Sequence, residues 1–361
     1  MKVTLNLEKF EFRGVSTERP LIMAGPCSAE NEEQVMTTAS QLKDIGVHIY
    51  RAGLWKPRTR PDTFEGVGKA GLPWLRRVKE ELGLYTATEV ANVKHVYDAL
   101  KAGIDIIWLG ARTTANPFAV QEIADSLKGV DVPVMVKNPI NPDVELWIGA
   151  LERMNRAGIT KLAAVHRGFS TYSKTLYRNN PQWEIPIELK RLIPGLTIIT
   201  DPSHICGSRE LLFEVSQRAM DLDFDGLIIE SHCNPEQALS DAQQQLTPES
   251  LHKLIGRLIL RNASIQNNIL LSTLEDLRHE IDKYDDKLME IFEHRMAIAR
   301  KIGEYKKQNN ITILQTSRWD ELLRNKIEKA AEKGLGEEFI IKVFRAIHEE
   351  SINHQTKVMN E

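Results

Sequence analysis

Eight short apolar runs recur at roughly 20–35 residue spacing between positions 21 and 231: LIMAG (21–25), VHIYRA (47–52), LYTATEV (84–90), IDIIWLG (104–110), VPVMVK (132–137), KLAAVH (161–166), LTIITD (196–201) and GLIIES (226–231). Runs without polar alternation suit strands buried on both faces, and hence a parallel sheet covered by helices. The segments between them carry helical periodicity, as in NEEQVMTTASQLKDIG with Gly46 as its stop. Eight strand–helix units in about 250 residues fit a (β/α)8 barrel. A doubly wound open sheet is the competitor, but the chain shows no clear glycine-rich dinucleotide turn.

The barrel pattern does not continue to the end. All 15 prolines lie at or before Pro248, and beyond Gly256 the only glycines are Gly303, Gly334 and Gly336. A stretch without proline, rich in Leu, Ile, Glu and Lys, reads as helical. Two bodies are therefore expected: an α/β barrel over 1–262, a linker over 263–271 and an all-α domain over 272–361. The 42% hydrophobic and 27% charged fractions exclude a disordered chain, a collagen-like chain or a disulfide scaffold. A net charge of -3 gives no global pull toward nucleic acid or anionic lipid. No apolar run approaches the roughly 20 residues of a membrane helix. The N-terminal MKVTLNLEKFEF lacks a signal-peptide apolar region, and Cys27, Cys206 and Cys233 make a poor disulfide framework. Together these point to a reducing cytoplasm.

In a (β/α)8 barrel the active site is built where strands finish and the following loops begin. At those places stand Cys27, Arg51 with Lys56 and Arg58, Arg112, Lys137, His166 with Arg167, His204 and Glu230. Cations converging on one mouth repel each other unless an anion neutralises them. Arg suits bidentate phosphate or carboxylate binding and Lys a point-charge contact, so a phosphate-bearing ligand is expected. Singly, each of these is an ordinary solvated side chain; their recurrence at successive strand ends argues otherwise. Cys27, His204, Glu230 and Asp241 all fall in strand-end loops as well. Thiolate, imidazole and carboxylates suit Zn, Fe, Mn or Co better than Mg or Ca. The competing reading makes Cys27 a small buried residue and Asp241 a helix N-cap after Ser240.

The strings AGPCSAE (24–30), RAGLWKPRT (51–59), GARTT (110–114), VKNP (136–139), HRGF (166–169), DPSHICGSR (201–209) and LIIESHCNPEQALSDAQQQL (227–246) hold these residues. Their set and order resemble type I 3-deoxy-D-arabino-heptulosonate 7-phosphate (DAHP) synthases, in the shorter subfamily that also includes 3-deoxy-D-manno-octulosonate 8-phosphate synthases. The resemblance covers nearly all of 20–250. It implies condensation of phosphoenolpyruvate with erythrose 4-phosphate. It also implies that Cys27, His204, Glu230 and Asp241 hold a divalent metal (Mn, Co, Zn or Fe), with Cys27 in place of Asn marking the metal-dependent form. Arg51, Lys56, Arg112, Lys137 and Arg167 would bind phosphoenolpyruvate. Lys56, Pro57, Arg58 and Thr59 would receive erythrose 4-phosphate, and this KPRT string separates the heptulosonate branch from the octulosonate one. Lys56, metal-bound water and Asp241 remain alternatives for activating the water that adds to the enol phosphate.

In the helical body, Ser272-Thr273-Leu274-Glu275 fits a capping box with Ser272 as N-cap. Leu274, Leu277, Ile281, Tyr284, Leu288, Ile291, Arg295, Ile298, Ile302 and Tyr305 follow at alternating spacings of three and four, as in a coiled-coil seam. A helix running to about Gln308 is too long for so small a body to cover, so dimerisation through the seam is expected. Arg295 interrupts the seam with a charge that needs an anionic partner. Lys306 lies on nearly the same face, and the apolar stripe of the last helix, about 336–358, runs into Ser351 and Gln355. Polar groups replacing core residues on two helices suggest a small polar ligand; the alternative is a register-setting device or an ion pair.

This segment is similar to all-helical chorismate mutases over about 272–357. The likeness gives Arg278, Arg295, Lys306, Arg318, Ser351 and Gln355 as chorismate-binding residues in an intertwined homodimer, with Arg278 reaching into the partner's site. Lys306 and Gln355 would bracket the ether oxygen as chorismate rearranges to prephenate. Two positions depart from the family: Gln315 stands for an Asp, and Trp319 for a carboxylate just after Arg318. The expectation is a bifunctional enzyme. The alternative is a synthase whose helical domain only senses chorismate or prephenate, or only dimerises. Prephenate is an expected feedback inhibitor.

Overall fold

The computed structural model describes residues 3–57, 63–172, 175–261, 268–314 and 316–360. Its contacts divide the chain into two units, Met1–Ala263 and Ser264–Glu361. In the first, parallel strands close into a barrel in sequence order. They are β1 (Leu21–Gly25), β2 (Ile49–Arg51), β3 (Tyr85–Val90), β4 (Ile106–Leu109), β5 (Val134–Lys137), β6 (Leu162–His166), β7 (Thr197–Thr200) and β8 (Gly226–Glu230). Each lies within one of the apolar runs. Closure between β1 and β8, with Leu21 beside Gly226 and Gly25 beside Glu230, rules out the open sheet.

The strands are buried on both faces because each face meets a different core. Met23, Ile49, Ala87, Ile106, Trp108, Met135, Ala163, Val165, Ile199 and Ile228 fill the barrel. Alternate residues, such as Leu162 and Ala164 on β6, face outward into the core beneath the helices. Phe10 and Phe12, edge to face at 5.2 Å, plug the end where the strands start, with Phe12 against Tyr85. The opposite mouth, at the strand ends, is left for ligands. The helices between strands start where short polar side chains accept a backbone N–H: Asn31 from Gln34, Asn92 from His95 and Asp143 from Leu146. At the end of β1 a Cβ on Gly25 would lie 2.0 Å from the Arg51 carbonyl oxygen, so only glycine lets β1 and β2 converge there.

The second unit consists of a long helix (Asn268–Gln308), a middle helix (Thr316–Ala331) and a last helix (Glu337–Asn360). The long helix starts at Asn268, a turn ahead of the expected start, and Ser272 therefore sits inside it and is no N-cap. Ile269, Leu270 and Leu271 contain no breaker, so nothing stops the helix from extending toward the N-terminus. Its 41 residues span roughly 60 Å. The last helix packs along its C-terminal half, where a Cβ on Gly303 would come within 3.1 Å of Gln355 Cα. Residues 275–291 are exposed throughout, among them Leu277, Ile281, Tyr284 and Leu288 of the seam.

Arg295 does not share the seam's fate. Ile291 and Ile298 on either side are exposed, whereas Arg295 turns to the last helix with Ala299, Gly303 and Lys306. Spacings of four, four and three make that a second stripe, and Arg295 stands on the boundary between the two faces. No helix among the described residues is long and apolar enough to cross a membrane.

Candidate active sites

Strand ends build the first site. A cavity of about 470 Å³ at the barrel mouth is lined by Lys56, Pro57, Arg112, Lys137, Arg167, His204 and Asp241, among others. Arg51 and Glu230 lie beneath it, 2% and 1% exposed. Arg51 donates from Nη1 to the Pro26 carbonyl at 2.9 Å and to Glu230 Oε1 at 3.2 Å, with its guanidinium 4.9 Å from the Trp108 ring centre. Lys137 pairs with Asp201 at 2.7 Å, and both side chains are buried. The cations of the mouth are thus only partly dependent on a ligand for neutralisation, because buried carboxylates already hold two of them. Arg167 lines the cavity with Nη1 on Asn179 Oδ1 at 2.7 Å, and burial pulls its guanidinium down to about 10. An arginine made easier to deprotonate by desolvation gains most from an anion beside it.

Ligand atoms of Cys27, Glu230 and Asp241 lie within 4.8 Å of one another. His204 stands next to this triad, its Nε2 3.7 Å from Glu230 Oε1 and its Nδ1 2.8 Å from Asp201 Oδ2. The Cys27 thiol donates to Asp241 Oδ2 at 3.2 Å and accepts from Lys56 Nζ at 2.8 Å. Burial, reinforced by Glu230, pushes that thiol up to about 12. Burial alone would raise the Glu230 and Asp241 carboxyls. Instead His204 and Arg51 hold Glu230 below its ordinary value, and Arg178 and His204 do so for Asp241. Asp241 caps nothing with its side chain; its backbone is left-handed, at φ 48 and ψ 39, which turns the carboxylate inward to Cys27. One sulfur and two carboxylates meeting under a cavity, with an imidazole beside them, are a donor set that fits a borderline divalent metal.

The second site lies between the long and last helices. Arg295 donates from Nη1 to Ser351 Oγ and, at 3.4 Å, to the Ile347 carbonyl. No carboxylate answers its charge among the described residues, and partial burial lowers its pKa. Lys306, Ser351 and Gln355 are buried, and Gln355 Oε1 has no partner among the described residues. Lys306 donates to the Ile313 carbonyl at 2.6 Å. Arg278 is not brought to this group; it sits on the exposed half of the long helix, paired with Glu275.

Residues 10–259 match the model of the DAHP synthetase I family. The chain belongs to the DAHP synthetase I family. Its helical unit matches a second family, chorismate mutase type II, over residues 277–356. The chain is 35% identical over 234 residues to a phospho-2-dehydro-3-deoxyheptonate aldolase of Thermotoga maritima, covering 65% of this chain and 67% of the relative. A 2-dehydro-3-deoxyphosphooctonate aldolase of Desulfotalea psychrophila is 27% identical over 274 residues, 70% of this chain and 93% of the relative. The crystal structure of the DAHP synthase of Thermotoga maritima superposes with a TM-score of 0.59 at 34% identity, covering 65% of this chain and 67% of that one.

In this DAHP synthetase I member, Arg58 and Thr59 lie outside the described residues, and so does the Arg318 side chain. His166 stands at its strand end but turns from the cavity: its Nε2 meets the Pro181 carbonyl at 2.6 Å and its ring packs on Trp183. Reading strand ends alone missed Arg178 and Gln244. Arg178 donates to Asp241 Oδ1 at 3.1 Å, and Gln244 Nε2 to Glu230 Oε2 at 2.7 Å. Neither immediately follows a strand, and loops from β6 and β8 carry them back over the mouth. Asp201, directly after β7, holds both Lys137 and His204.

Proposed function

We propose that this chain catalyses two reactions: condensation of phosphoenolpyruvate with erythrose 4-phosphate and water to DAHP and phosphate, and rearrangement of chorismate to prephenate. The observation that carries the first is the stacking of a cation-lined cavity directly on the Cys27–Glu230–Asp241 triad. Arg112, Lys137 and Arg167 would bind the phosphate and carboxylate of phosphoenolpyruvate, with Arg51 below them. Lys56, Pro57, Arg58 and Thr59 would receive the aldose phosphate. Fixed charges on a rigid barrel need little reorganisation as the reaction proceeds, so positioning and electrostatics supply most of the acceleration. A divalent metal would be held by Cys27, His204, Glu230 and Asp241, and would supply Lewis acidity toward the aldehyde oxygen. Lys56, 2.8 Å from the thiol, would stabilise the Cys27 thiolate that a metal ligand must be.

The mutase reading rests on Arg295, Lys306, Ser351 and Gln355 sharing one helix–helix seam with an orphaned amide oxygen. Arg278 and Arg295 would hold the two carboxylates, with Arg318 beside them, and Lys306 and the Gln355 Nε2 amide would donate to the ether oxygen. No covalent step is required. The uncovered apolar stripe of residues 277–291 supports a homodimer in which the partner subunit contributes the Arg278 position. Prephenate would act back on the synthase from this unit, and the enzyme would work in the cytoplasm.

A paired assay tests all of this. The purified chain, stripped by chelator and then given Mn, Co or Zn, should recover phosphoenolpyruvate consumption while chorismate loss stays unaffected by metal. Full synthase activity in a metal-free sample would reject the metal ligands. Absence of chorismate loss would reject the mutase reading.

A further inference from the structure

In the helical unit, Trp319 of the middle helix stacks on His348 of the last helix, with ring centres 4.2 Å apart and planes 19° from parallel. Both side chains are partly buried. His348 lies one turn before Ser351, the residue that receives Arg295, so the clamped imidazole stands at the edge of the cationic seam. Its environment is set by burial and then by the Arg295 and Lys306 charges, all of which keep it neutral. A neutral imidazole carries one donor and one acceptor, and among the described residues neither nitrogen of His348 has a hydrogen-bond partner. A stacked ring cannot swing to find one without losing its contact with the indole.

The substrate of the proposed reaction carries four polar groups: two carboxylates, an ether oxygen and a ring hydroxyl. Arginines answer the carboxylates, and Lys306 with Gln355 answers the ether oxygen. The hydroxyl is left, and at the edge of the seam stands the His348 imidazole with both nitrogens unengaged among the described residues. We infer that His348, held in place by Trp319, hydrogen-bonds the ring hydroxyl and makes the helical unit selective for a hydroxylated cyclohexadiene dicarboxylate. This rests on the mutase reading above. A site that spends a hydrogen bond on a substrate hydroxyl discriminates strongly against the analogue lacking it.

The test compares kcat/KM of the full chain for chorismate and for the same molecule without its ring hydroxyl. The intact protein should prefer chorismate by at least about tenfold, a difference of about 1.4 kcal/mol. His348→Leu should remove most of that preference, lowering kcat/KM on chorismate about tenfold and on the analogue less than about twofold. His348→Gln, which keeps a donor and an acceptor, should restore part of it. Trp319→Phe should retain the preference and Trp319→Ala weaken it. Synthase activity and the helical circular-dichroism signal serve as controls for folding. Equal losses on both substrates in His348→Leu, or no preference in the intact protein, would overturn the assignment. No turnover of either substrate by the intact protein would instead sink the mutase reading on which it rests.

Discussion

Lys137 and Asp201 form an ion pair of 2.7 Å in which neither side chain is more than 4% exposed. Asp201 also holds His204 Nδ1 and caps the backbone N–H of the same histidine, so one carboxylate fixes a cation of the cavity and a candidate metal ligand together. Burial by itself would raise its pKa, but His204 and Lys137 hold it well below the ordinary value. Asp201→Asn keeps the cap, since Asn caps as well as Asp, but removes the charge and turns an amide NH2 to Lys137 in place of an acceptor oxygen. Leaving Lys137 buried without its partner should cost about 3–5 kcal/mol of barrel stability, read as a lower urea midpoint.

Removing the thiol separates metal affinity from folding. Cys27→Ala deletes a proposed ligand of small volume in a fully buried position. The variant should hold less than one metal per chain after dialysis and lose synthase turnover, while chorismate loss is kept. Metal content measured on intact and variant protein checks it; equal occupancy would remove Cys27 from the ligand set.

Arg295→Ala and Gln355→Ala each delete one partner of the helix–helix seam. Loss of an electrostatic contact that strengthens in the transition state costs about 100-fold or more in turnover. Each variant should therefore fall by that order in prephenate formation, with synthase activity unchanged. Unaltered mutase rates would reject the site.

Acid should weaken the barrel through His166. Its Nε2 meets a carbonyl, its Nδ1 is buried without a partner, and burial lowers it from 6.5 to about 4. Between those values the unfolded chain binds a proton that the folded chain refuses. Stability is thus intact above pH 6.5 and falls as pH drops toward 4, by roughly 3 kcal/mol in all. Urea midpoints at pH 7 and 5 should differ less in His166→Gln than in the natural chain.

The apolar runs located all eight strands because a parallel barrel strand is buried on both faces and leaves a contiguous signature. The placing of Cys27, Arg51, Lys137, His204 and Glu230 around one mouth was legible for a related reason: they stand at or just beyond the ends of those runs. What was not legible was side-chain direction. Sequence position puts His166 and Arg167 together, yet one packs on Trp183 and the other lines the cavity. Heptad spacing put Arg295 among Ile291 and Ile298, but seven-residue counting cannot say which of two adjoining faces a boundary residue joins. The Ser272 capping box failed because nothing before it stops a helix.

The uncovered half of the long helix gives the two units different laws of stability. The barrel's two cores close within one chain, so its melting should not respond to dilution. The stripe at Leu277, Ile281, Tyr284 and Leu288 is exposed, and in the proposed homodimer a second molecule buries it. Its free energy of folding then contains a concentration term. A thermal scan at successively lower protein concentration should split into two transitions, with only the helical one moving to lower temperature.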